Sequence, residues 1–167
     1  MILRRTNALL VFILLYYLGV FLDIGTTYLG SPDLKRELNV LVLYFEAGFK
    51  EIIIACTLYL IAITIILLKL KEYILKSGEN KFAINLFYLI FFCNSCHLVN
   101  SYLVSVNNFL GFCYYRSESE FLHQIGSTYA KFVTSIPYYY YYQFFLSCAL
   151  AAIVCFVLLR FKKEMGR

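Results

Sequence analysis

Charge is what this chain has least of. Of its 167 residues, 15% are charged and 62% are hydrophobic. Average globular chains are about 25% charged and about 45–50% apolar. The composition therefore excludes a soluble domain and points to a single compact membrane bundle. The net charge is +5, but no basic run has the density of a nucleic-acid patch, so no nucleic-acid partner is expected. Histidine and methionine are scarce, at two each, and no His-Glu-x-x-His or comparable ligand spacing occurs. No cleavable leader is expected either. Arg4 and Arg5 precede an apolar run, yet no Ala-x-Ala-like site follows, and Asp23 interrupts the far end. That run reads as an uncleaved signal-anchor that doubles as the first span.

What is present is length of apolar chain. A spanning helix needs about 20 mostly apolar residues. Four segments qualify, at 7–29, 48–68, 82–110 and 138–159, the second with Val40 as its earliest start. Ten of the fifteen Lys and Arg residues fall before the first segment, between the second and third, or after the fourth. Positive residues collect on the cytoplasmic side. The expected fold is all-α: an integral membrane bundle of four transmembrane helices in the cell membrane, with both termini cytoplasmic. Of the six cysteines, five lie in apolar segments and read as small packing residues, while Cys113 falls in a loop.

The loop after the third span has its own pattern. Ser117 and Glu120 form a Ser-x-x-Glu capping box. Phe121, Leu122, Ile125, Tyr129, Phe132 and Val133 then share one helical face. An amphipathic interfacial helix is expected at 118–134, lying on the outer leaflet and ended by Pro137. The tyrosines at 138–142 supply an aromatic collar to the fourth span, with a stacking platform for a ring or sugar as the sharper alternative.

Asp23 follows fifteen uncharged residues, and a carboxylate at that depth costs roughly 2.5–3.5 kcal/mol to insert. Tyr16, Gly19, Asp23, Thr26 and Thr27 share one side of the first span, and Gly19 would let a partner helix approach. On the third, Asn94, His97, Ser101, Ser105 and Asn108 form a stripe, with Asn100 and Asn107 beside it. Asp23 and His97 each lie fifteen residues into their segments, which predicts similar depth and a meeting if the helices are neighbours. Glu46 and Lys50 stand at the spacing of a local ion pair.

These residues support competing readings. In one, Asp23, Thr26, Thr27, Glu37, Asn39, Asn94, His97, Asn100 and Ser101 line an outward-facing pocket for an ion, a proton or a small polar ligand. The protein would act alone, as a homo-oligomer or as a subunit of a larger complex in the lipid bilayer. In the second, the same side chains are interhelical hydrogen bonds of a structural or assembly protein. In the third, Asp23, His97 and Glu37 hold a divalent metal for a membrane hydrolase. Cys93-Asn-Ser-Cys96-His97 also matches the Cys-x-x-Cys-His pattern of covalent haem attachment, but it lies mid-segment and lacks an accompanying methionine.

Asp23-Ile24-Gly25-Thr26-Thr27, then Glu37-Leu38-Asn39, then Gly48 and Lys50, resemble an uncharacterised prokaryotic domain-of-unknown-function family of small multi-pass membrane proteins. Its first span carries Asp-x-x-x-Thr, and the following loop carries Glu-x-Asn-Pro. The resemblance covers roughly 10–55, and Val40 stands where that pattern has proline. It implies that Asp23, Thr27, Glu37 and Asn39 form a common feature, with Lys50 as an added member.

Overall fold

The computed structural model describes residues 6–34, 40–77 and 80–160. They form six helices: α1 (Thr6–Gly30), α2 (Val40–Phe45), α3 (Phe49–Ser77), α4 (Lys81–Tyr115), α5 (Glu120–Ser135) and α6 (Tyr139–Arg160). Four stretches are long and apolar enough to cross a membrane: Leu9–Gly30, Phe49–Lys76, Lys81–Tyr115 and Tyr139–Phe156. Their outward surfaces are apolar too. Leu14, Leu58, Leu89 and Ile153, one from each stretch, are all more than half exposed. Contiguous apolar surface of that extent fits lipid and not water.

Two helices outrun the sequence expectation. α3 continues past residue 68 because Glu72 ties Lys69 and Lys76 at 3.5 and 2.7 Å, at i,i+3 and i,i+4 spacing. α4 starts on Asn80, whose side chain accepts from the Phe82 and Ala83 amides at 3.1 and 3.3 Å. It then runs 35 residues, about 52 Å, beyond the roughly 30 Å of a hydrocarbon core. Cys113 consequently lies in α4, fully buried, and not in a loop.

Three local expectations are corrected. Residues 40–45 do not join α3, because Glu46 takes a left-handed φ of 50° and ends α2. That break separates Glu46 from Lys50, and the expected ion pair is not formed. The Ser117–Glu120 capping box is not formed either. Ser119 is the N-cap and makes no side-chain cap bond, while Ser117 Oγ accepts from the Ser119 amide at 3.2 Å.

α4 is the spine, packing against α1, α3, α5 and α6. α1 runs parallel to it: Phe12 meets Phe91 with centroids 4.4 Å apart, and further along Thr27 meets Asn108. Leu9, Phe12, Tyr16 and Val20 are buried along one stripe of α1, at spacings of three and four. A Cβ on Gly19 would stand 2.9 Å from Tyr102, so the missing side chain permits the approach. α3 returns antiparallel, with Tyr28 against Phe49 and Tyr16 against Tyr59. α6 is antiparallel to α4 on small polar contacts, Asn107 to Gln143, Asn100 to Ser147 and Ser95 to Cys155. These directions place the starts of α1 and α4 and the ends of α3 and α6 at one end of the bundle. α5 folds back on the other end of α4, with Gly126 against the Cys113–Tyr114 backbone.

Candidate functional site

The polar residues divide into two groups at different heights. The first lies near the middle of α4. Asn94 is buried, and its Oδ1 accepts from the Tyr16 hydroxyl at 3.0 Å and the Tyr59 hydroxyl at 2.8 Å. Its Nδ2 donates to the Ile90 carbonyl at 2.7 Å. Tyr16 Oη also stands 2.5 Å from His97 Nδ1. One hydroxyl has one proton. With that proton given to Asn94, the His97 contact is closed by an Nδ1–H tautomer. Nε2 is then an acceptor, on a side chain that is exposed.

The second group lies at the α5 end. Asn108 Nδ2 donates to Thr27 Oγ1 at 2.8 Å and to Asp23 Oδ1 at 3.3 Å. Beside it, Asn107 Oδ1 accepts from both the Tyr129 and the Tyr139 hydroxyls, and Asn107 Nδ2 donates to Gln143 Oε1. Burial and the hydrogen bond it shares with Tyr139 push the Tyr129 phenol above its usual range, which keeps it a donor. Between the two amides opens a cleft of about 430 Å³, walled by the ends of α1 and α4, by α5 and by the start of α6. Its size is that of a small-molecule site, for which roughly 300–1,000 Å³ is usual. Tyrosine rings and aliphatic side chains form most of its surface.

The sequence-predicted residues are thus dispersed. Asp23 and Thr27 share Asn108, and Thr27 lines the cleft. Thr26 bonds back to the carbonyls of Leu22 and Asp23 in its own helix. Asn94 and His97 belong to the mid-helix group. Asn100 accepts from Ser147 on α6, and Ser101 is buried, its carbonyl accepting from Ser105. Glu37 and Asn39 lie outside the described residues.

The expected Asp23–His97 pairing is corrected. His97 faces Tyr16, seven residues before Asp23 and about 10 Å away along α1. Among the described residues, no three His, Cys, Asp or Glu side chains are gathered to hold a metal; Glu37, the third member of the expected set, lies outside the described residues. The Cys-x-x-Cys-His run is split as well, with Cys96 facing Cys148 on α6 and His97 facing Tyr16. Sequence reasoning missed Tyr59, Tyr129 and Tyr139 as partners, because tyrosine in such segments reads first as an interfacial anchor. Asn107 and Asn108 stood out as polar but carried no sign of their partners.

No protein-family model, curated protein or solved structure matches this chain.

Proposed function

We propose that this is a small four-span membrane protein that binds a small ligand in the cleft at the α5 end. The observation that carries the reading is the cleft itself, with amides from α4 and α6 set among tyrosines. The charge asymmetry of the loops supports the orientation. The end bearing the starts of α1 and α4 holds most of the Lys and Arg, so it faces the cytoplasm and the cleft faces outward. α5 then lies at the outer headgroup layer, with Phe121 and Phe132, both more than half exposed, turned to lipid. The Asp23–Thr27 pair of the family-like pattern holds Asn108 in place at the cleft wall.

Gly111 supplies the test. It lines the cleft, and a Cβ there would meet nothing within 4 Å. Gly111→Phe should fill the cleft without disturbing packing. Native mass spectrometry of small molecules co-purifying with each protein should show a species kept by the parent and lost by the variant. Identical retained species at equal occupancy would sink the reading.

A second reading, contact with another membrane subunit, is favoured by one feature. Leu89, Cys93 and His97 form an exposed stripe down α4. An imidazole within a span ordinarily faces protein or water, because lipid offers it no partner. Among the described residues Cys93 is the one exposed cysteine. A thiol-specific cross-linker in native membranes should capture the neighbouring subunit there. Cross-linking that persists in Cys93→Ser, or none at all, would remove this reading.

A further inference from the structure

We propose that the ligand of the cleft is an uncharged, hydroxylated ring, the chemistry of a sugar or of a sugar-bearing lipid headgroup. The proposal rests on the cleft being a ligand site. Three features of the walls carry it.

First, among the described residues the lining holds no Lys, Arg, His, Asp or Glu. Two carboxylates stand behind the lining, Asp23 receiving the Asn108 amide and Asp33 the Ser31 hydroxyl. An ion entering such walls would lose hydration and find no opposite charge.

Second, the walls offer one donor and one acceptor at once. Asn107 Oδ1 is occupied by two phenols, so its Nδ2 is the end that meets Gln143. Gln143 must then present Oε1 to Asn107, which leaves Nε2 as the end without a protein partner among the described residues. Asn108 is fixed in the opposite sense. Its Nδ2 is spent on Asp23 and Thr27, so Oδ1 is the open end. Gln143 Nε2 suits an acceptor on the ligand, and Asn108 Oδ1 suits a donor. A hydroxyl donates and accepts, so a ring bearing several satisfies both amides.

Third, tyrosine rings form part of the walls, Tyr140 with two thirds of its surface exposed. An aromatic face packs against the C–H face of a ring while the phenol tip stays among polar groups.

The test uses the full chain in phosphatidylcholine nanodiscs free of sugar detergent, read by saturation-transfer NMR and isothermal titration. The probes are glucose, octyl glucoside and octylphosphocholine. Saturable binding of octyl glucoside is expected, weakened about tenfold by Tyr140→Ala and by Gln143→Met, and abolished by Gly111→Phe. Tyr140 is exposed and its ring meets that of Tyr139, so its loss leaves the fold intact even if Gln143→Met does not fold. Glucose binding alongside would assign a soluble source; octyl glucoside binding alone would assign a membrane-borne one. If octylphosphocholine binds as well as octyl glucoside, and Gly111→Phe removes both, the cleft survives as a site and the hydroxylated ligand is overturned. If no probe binds saturably, or Gly111→Phe leaves binding unchanged, both proposals fall.

Discussion

Gly126 is where α5 touches α4, and replacing it measures that contact. A Cβ on Gly126 would stand 2.4 Å from the Tyr114 nitrogen and 2.8 Å from Cys113 C and Tyr114 Cα. Carbon atoms rest about 3.5–4.0 Å apart, so Gly126→Ala forces α5 outward by about 1 Å. The obstacles are backbone atoms of a long helix and cannot swing aside. Overpacking of this kind costs about 1–3 kcal/mol. Alanine also has an intrinsic helix advantage of about 1 kcal/mol over glycine, which masks part of the loss. Gly25→Ala removes that ambiguity. Gly25 is also inside a helix, and its added Cβ would meet nothing within 4 Å. The difference between the two variants therefore isolates the clash. Unfolding in mixed micelles should place Gly126→Ala about 1–3 kcal/mol below Gly25→Ala. Hydrogen exchange should show the loss as faster exchange across 120–135, with the α1–α4 contact unchanged. Equal stability of the two alanines, with no change in α5 exchange, would refute backbone-to-backbone packing of α5 and remove one wall of the cleft.

Three further outcomes follow from the same geometry. Tyr138 links α5 to α6 at φ 58° with its ring exposed, and a left-handed L-residue costs about 1–2 kcal/mol. Tyr138→Gly should therefore raise the melting temperature slightly, after glycine's own entropy cost of roughly 0.5–1 kcal/mol; a fall would mean that the phenol makes a contact that matters. Asn94→Leu removes the shared acceptor of Tyr16 and Tyr59 and the bond to Ile90. At about 0.6 kcal/mol per interhelical bond it should cost about 1–2 kcal/mol in a thermal melt, and a neutral result would show that the network does not hold α1, α3 and α4 together. Tyr129 is held above its usual range in the fold. Its contribution is therefore complete below the ordinary phenol pKa of about 10 and is lost as pH rises toward the folded value. A melting curve against pH should fall more steeply in this alkaline window for the parent than for Tyr129→Phe, and coincident slopes would contradict it.

The four spans were legible because apolar length is a local property of the chain. The helix faces could also be read: the spacing of Tyr16, Gly19 and Asp23 placed all three on the side of α1 that meets α4, and Gly19 admits Tyr102. What periodicity does not encode is the axial offset between two parallel helices. Counting inward from guessed ends set Asp23 level with His97. The offset is instead fixed by bulk. Phe12 must clear Phe91, and Tyr102 must find the gap at Gly19. Those two contacts slide α1 about two to three turns from the counted register, which puts Tyr16 beside His97 and Asp23 beside Asn108.

That slide also separates two kinds of polar residue that a single stripe had merged. Tyr16, Tyr59 and Asn94 sit where α1, α3 and α4 meet, so their hydrogen bonds close on one another. Asn107 and Asn108 sit where α1 ends at Gly30 while α4 continues to Tyr115. Among the described residues, the space that α1 vacates is filled only in part, because α5 approaches through a glycine and α6 begins with tyrosines at its edge. A cleft follows from unequal helix lengths, and its polarity follows from which residues of α4 lie level with the end of α1. The same stripe is therefore interhelical bonding where α1 covers it and an open donor–acceptor surface where α1 stops.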